Sequence, residues 1–196
     1  LQSHSPPLLG KHAESYLRRF FSRTTEEGFE RTRGGNELVA GLDDWWQFQI
    51  DPEGVGETLG WWQPEKTGGN WQRIRTSTAS WSDQGLRYYK GLAWYRQTVR
   101  IPERFRGRRV VLWVGGVDEK AKVWVNGKLL GESPKGCFRP FELDATDAVR
   151  PGQLNTVVLC VTNVVLNEVG TGGITGPVFF YSPPATATAR EKPDEP

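Results

Sequence analysis

Tryptophan is the side chain whose abundance stands out in this 196-residue chain, which carries nine of them. A flat indole face matches the C–H face of a sugar ring, and it equally well fills the core of a β-sandwich. Most of the nine are expected in the core, with two to four exposed near a ligand site. Trp61, Trp62, Trp71 and Trp81 lie in or beside two long stretches rich in glycine and polar residues. Loops of a sandwich gather at its ends, where ligand sites form, so these four are the candidate stacking residues. Asn167 and Glu168 stand beside Gly170, Gly172 and Gly173. Amide and carboxylate groups suit paired hydroxyls, and these two residues complete the candidate carbohydrate-binding set.

Acid–base chemistry has weaker support. Cleaving a glycosidic bond needs two carboxyl groups facing it at about 5–10 Å on a rigid scaffold. Asp43-Asp44 and Asp118-Glu119 are sequence neighbours, and on a strand adjacent side chains point to opposite faces. No catalytic residue is assigned, and Asp118 is expected to tie down the turn before the strand at Lys120. Cys137 and Cys160 are the only cysteines, and His4 and His12 lie far from both. No metal-ligand set results, and buried free thiols are expected. A net charge of +2 is too small to imply nucleic acid. Arg104, Arg106, Arg108 and Arg109 read as a solvated turn between apolar strands. No run approaches the ~18 apolar residues of a membrane span. The chain has no methionine, even at position 1, so it is expected to be a processed protein or a piece of a longer one.

Hydrophobic periodicity sets the elements that must position these groups. Leu8-Leu9, Tyr16-Leu17 and Phe20-Phe21 recur at helical spacing, which predicts a short amphipathic helix over about Lys11–Ser22, with Arg31–Asn36 as a linker. From Glu37 onward the pattern is β. Strands are predicted at Trp45–Ile50, Gln72–Thr76, Ala93–Ile101, Arg108–Val114, Lys120–Val125, Lys128–Glu132, Phe141–Leu143, Thr156–Val164 and Val178–Tyr181. Many short strands with frequent turn signals indicate an all-β sandwich. Asn126-Gly127 supplies the two residues tolerant of positive φ that a type I′ hairpin requires. Val110–Val114 is apolar throughout, as for a central strand covered on both faces. In Ala121–Val125 the alternation sends Ala121, Val123 and Val125 to one face and Lys122 and Trp124 to the other. If the first is the core, Trp124 faces either a covering segment or a ligand. The Pro-, Ala- and charge-rich end after residue 182 is expected to be a disordered linker.

Several segments, in order, resemble the N-terminal sugar-binding domain of family 2 glycoside hydrolases. They are Gly41-Leu42-Asp43-Asp44-Trp45-Trp46-Gln47-Phe48; Trp71-Gln72-Arg73-Ile74 with Trp81 downstream; Gly91-Leu92-Ala93-Trp94-Tyr95-Arg96; Gly115-Gly116-Val117-Asp118 through to the Asn126-Gly127 hairpin; Phe138-Arg139-Pro140-Phe141; and Gly172-Gly173-Ile174-Thr175-Gly176-Pro177-Val178. The likeness runs from about Leu38 to Tyr181, roughly three quarters of the chain. It implies a jelly-roll β-sandwich, galactose-binding-domain-like, with flanking domains that include a catalytic barrel carrying two glutamates. It also implies that the loop Asn163–Thr171, tipped by Asn167 and Glu168, reaches toward sugar in that barrel. A structural calcium occurs in such folds, but the sequence identifies no converging oxygens for one, and no other cofactor is expected. The extracellular or periplasmic placement rests on the resemblance alone.

The resulting expectation is an N-terminal extension over 1–36 with a short helix, a jelly roll over 37–182 and a tail over 183–196. The expected role is a non-catalytic carbohydrate-binding module or accessory domain of a larger polysaccharide-active glycoside hydrolase, with an oligo- or polysaccharide as partner. The alternatives are a structural domain that rims the active site without binding sugar alone, and a protein–protein adhesion module.

Overall fold

Ten strands form among the residues described by the computed structural model of the chain, which are 23–32, 34–66, 68–86, 88–134, 138–164 and 172–185. They are β1 (Glu37–Gly41), β2 (Trp45–Asp51), β3 (Gln72–Arg75), β4 (Gly91–Arg100), β5 (Val111–Val114), β6 (Lys120–Val125), β7 (Lys128–Glu132), β8 (Phe141–Asp144), β9 (Leu154–Asn163) and β10 (Val178–Ser182). One sheet has the order β1-β10-β5-β8 and the other β3-β2-β4-β9-β6-β7. Every named pairing is antiparallel. The two sheets pack face to face as the expected jelly-roll sandwich. No helix among the described residues is long and apolar enough to cross a membrane.

Strict alternation builds the core. On β2, Trp46 and Phe48 point inward, and on β4 Ala93 and Tyr95 do the same. They meet Leu112 and Val114 of β5 and Phe180 of β10 from the other sheet. Tyr95 sits edge-on to Phe48 at 5.1 Å and to Trp46 at 6.4 Å, a geometry that aromatic quadrupoles favour. At the β6–β7 hairpin Asn126 and Gly127 adopt φ of 50° and 82°, as a type I′ turn requires. The Asn126 side chain also donates to Ala148 O and to Asn155 Oδ1 and accepts from Thr156 N–H, so it pins the turn to the neighbouring loop.

The apolar run at Val111–Val114 is buried throughout because both faces of β5 are covered. Leu112 and Val114 enter the inter-sheet core, and Trp113 stacks on Phe179 at 4.7 Å on the outer face. That outer face is closed by a short helix, α1 (Thr25–Glu30), whose Phe29 meets Phe179 edge-on at 6.1 Å. Thr24 caps α1 by accepting from Glu27 N–H at 3.2 Å, and Glu26 and Glu27 complement the positive end of the helix. The Thr24-x-x-Glu27 spacing is a capping signal that hydrophobic periodicity did not bring out. The helix expected over Lys11–Ser22 and the tail beyond 185 lie outside the described residues.

Candidate functional site

The long segment between β2 and β3 does not stand away from the sandwich. It folds back over the outer face of the six-stranded sheet. Trp94 of β4 and Trp124 of β6 stack there at 5.3 Å, beside Val158 and Cys160 of β9. Trp61 meets Trp94 edge-on at 6.0 Å and Trp71 at 6.3 Å. Trp62 packs on the same cluster and donates its indole N–H to Glu57 O. Three candidate stacking residues therefore come together, but as a half-buried cover over Trp94 and Trp124.

Two charged groups of the sheet hold this cover down. Asp51, 2% exposed, accepts from Trp94 Nε1 and from the backbone N–H of Val55 and Gly56, each at 2.9 Å. Arg96, 3% exposed, donates to the carbonyls of Trp61, Gln63 and Pro64 and lies 5.2 Å from the Trp71 ring centre. Burial pushes the Arg96 guanidinium below its usual range, opposed by the charge of Glu65. Lys122 adds a 2.8 Å ion pair to Glu57.

Trp81 is a correction to the candidate set. It is 1% exposed and belongs to the inter-sheet core, so no ring face is open to a ligand. Its indole N–H donates to the Tyr95 hydroxyl, and burial raises the Tyr95 phenol well above its ordinary range. Trp81 also lies directly under Gly172 and Gly173, where an added Cβ on Gly173 would fall 2.5 Å from its Nε1. Gly173 has φ of +87° and passes its carbonyl to Asp118 N–H at 2.9 Å. On the other side of residues 165–171, both carboxylate oxygens of Glu119 accept from Val164 N–H at 3.0 Å. The chain at Val164 is thus held by Glu119, and the chain at Gly172 and Gly173 packs on Trp81. Asn167 and Glu168 lie outside the described residues.

Asp43 and Asp44 also act as anchors. Asp43 accepts from Trp45 N–H. Asp44 collects Ser77 N–H, the Thr78 hydroxyl and the Arg75 guanidinium. Asp118 is buried in the turn before β6. The arginines at 104, 106, 108 and 109 pair with Glu37, Glu103, Glu37 and Asp144, in keeping with a solvated turn. Cys160 is a free, buried thiol, and Cys137 lies outside the described residues. Among the described residues no group of three or more His, Cys, Asp or Glu is placed to hold a metal ion.

Two features escaped the sequence reading. Trp45 is 43% exposed, with Arg73 and Arg75 at 4.9 and 5.6 Å from its ring centre. Alternation along β2 carried that signal, since Trp45 falls on the face opposite Trp46. The second is a cleft of about 420 Å³ at the β2–β3 edge, lined by side chains that include Gln49, Asn70, Gln72 and Gln84. Its walls come from segments far apart in sequence, so no local pattern announces it.

The class defined by this architecture is a jelly-roll sandwich with both outer faces covered. The profile described as "Glycosyl hydrolases family 2, sugar binding domain" matches residues 39–171, and the chain belongs to that family. A β-glucuronidase from Paenibacillus borealis is 35% identical over 128 residues, covering 65% of this chain and 21% of the relative. A β-galactosidase from Thermoanaerobacter pseudethanolicus is 37% identical over 70 residues, covering 36% of this chain and 9% of the relative. Among solved structures, the Lactobacillus rhamnosus β-glucuronidase superposes with a TM-score of 0.65 at 26% identity, covering 78% of this chain and 30% of that one. The chain spans about a fifth or less of the length of these two curated relatives.

Proposed function

We propose that this chain is the non-catalytic sugar-binding domain of a longer family 2 glycoside hydrolase, with catalysis supplied by domains beyond it. The observation that carries this reading is the family match over residues 39–171, in a chain whose matched part spans 21% of the Paenibacillus β-glucuronidase. The carboxylates best suited by type to chemistry are spent on backbone anchoring, which supports the non-catalytic part. Contact with saccharide would come from the rim between Val164 and Gly172, with Asn167 and Glu168 meeting hydroxyls. By its relatives' names, the whole enzyme would act on a β-glucuronide or β-galactoside.

The test is calorimetric titration of the 196-residue chain with oligosaccharides, alongside hydrolysis assays on chromogenic β-glycosides. Saturable binding without turnover is expected. Turnover by the chain alone would overturn the non-catalytic reading. The packing of Trp61, Trp62 and Trp71 on Trp94 and Trp124 favours a second reading, a domain that supports and rims the catalytic site without binding sugar alone. A folded chain that binds no saccharide would select it.

A further inference from the structure

On the outer face of the six-stranded sheet, beside the cover, lies a depression of about 280 Å³ whose lining includes Trp45, Gln47, Arg73, Arg96 and Thr98 and no acidic residue. Trp45, Gln47, Arg73 and Thr98 are exposed. Alternation places Trp45 and Gln47 on the face of β2 opposite Trp46 and Phe48. Gln47 is in register with Arg73 on β3 and with Arg96 on β4. Neighbouring strands run about 4.8 Å apart, so the two arginines flank Gln47 with their Cα atoms about 10 Å from each other.

Neither cation of this lining is neutralised by a carboxylate. Arg75, on the same face of β3, pairs with Asp44 at 3.0 Å. Arg73 enters none of the ion pairs among the described residues and lies instead over the Trp45 ring, 4.9 Å from its centre. Trp45 borders the depression, so the guanidinium resting on it is held at the same place. Stacking on an indole fixes the guanidinium plane and leaves its in-plane N–H groups free to meet a carboxylate. Arg96 donates only to the carbonyls of Trp61, Gln63 and Pro64, which satisfy donors without cancelling charge, and its Nε has no partner among the described residues. Glu65, whose charge is felt at Arg96, forms no ion pair with it. The Gln47 and Thr98 side chains make no hydrogen bond among the described residues, so an amide and a hydroxyl stand ready beside the two cations.

We propose that this depression is a subsite for an acidic sugar unit, whose carboxylate is taken by Arg73 while Gln47 and Thr98 meet its hydroxyls. The volume lies just below the roughly 300–1,000 Å³ of ordinary small-molecule pockets, which suits one sugar ring. The proposal rests on the carbohydrate reading above and places the subsite on the open sheet face, apart from the loop that carries Asn167 and Glu168. The test is titration of the ¹⁵N-labelled 196-residue chain with trigalacturonate, a neutral trisaccharide and triglutamate, following the Trp45 indole N–H resonance. Arg73→Gln is the variant, and Arg109→Gln removes the same charge elsewhere as a control, with unfolding midpoints to confirm folding. Trigalacturonate is expected to shift the Trp45 resonance saturably, with affinity that weakens as salt is raised. Affinity should fall tenfold or more in Arg73→Gln, the factor that corresponds to one lost charge-assisted hydrogen bond, and hold in Arg109→Gln. Binding that survives Arg73→Gln, that drops equally in Arg109→Gln, or that the neutral trisaccharide matches overturns the subsite and leaves the carbohydrate reading standing. A Trp45 shift as strong with triglutamate overturns the sugar as occupant. No binding by either saccharide overturns the subsite and the carbohydrate reading together.

Discussion

Asp51 and Trp94 are joined by a 2.9 Å hydrogen bond from the indole Nε1 to Oδ2, and this contact ties the β2–β3 segment to the sheet. The same carboxylate takes the N–H groups of Val55 and Gly56, so one side chain on a strand organises both the turn and the aromatic cluster beneath it. The segment turns so tightly here that an added Cβ at Gly56 would fall 2.4 Å from Trp94 Nε1.

Replacing Asp51 with Ala leaves three donors without an acceptor, two of them buried, the Gly56 N–H and the Trp94 indole N–H. The expected loss is about 3 kcal/mol or more, with red-shifted tryptophan emission as the cover lifts. Urea unfolding followed by fluorescence checks both, and a variant within about 0.5 kcal/mol of the wild type would show that the carboxylate does not hold the cover.

Arg96→Lys keeps the charge but loses the planar fork that reaches Trp61 O, Gln63 O and Pro64 O. Faster proteolytic cleavage within 52–71 is expected, with the rest of the sandwich resisting. Uniform cleavage across the chain would contradict a local role.

Acid should act partly through Asp44. Burial raises its pKa, but hydrogen bonds from Thr78, Arg75, Ser77 and Thr76 outweigh this and hold it below the ordinary carboxylate range. A depressed folded pKa contributes stability that is present above the unfolded value of about 3.9 and is lost as pH falls through the folded pKa. Asp44→Asn should therefore be less stable than wild type at pH 7, with the gap closing toward pH 2–3. Unfolding midpoints at the two pH values measure this, and a constant gap would exclude the linkage.

Cys160 should be inert in the folded chain. Burial, with Asp51 and Glu57 nearby, pushes its thiol up to about 12, and the thiolate is the reactive form. In a Cys137→Ser background a disulfide reagent at pH 8 is expected to label Cys160 only after denaturant is added. Rapid labelling of the native chain would place the thiol at an open surface.

Much of the sandwich was legible in the sequence because strand signals are local. Alternation placed β2, β4 and β6 within a residue or two of their observed bounds, and Asn126-Gly127 marked its hairpin. β1 was missed: it is a short edge strand with no strong alternation, held by pairing with β10. The cap of α1 was missed because its signal is one threonine and one glutamate, while its packing partner, Phe179, lies 150 residues away.

The candidate site divides along the same line. Sequence by itself determined that Trp124 faces away from Ala121, Val123 and Val125, because side-chain direction along a strand follows from backbone geometry alone. It also determined the family, through segments whose order survives in the linear chain. Only tertiary structure decided that Trp61, Trp62 and Trp71 cover that face, that Trp81 lies in the core under Gly173, and that Gln49 Oε1 and Trp71 Nε1 meet beside Gly69. Each of these depends on which distant segment packs where, and burial is a property of the packed pair that neither segment carries in its own sequence.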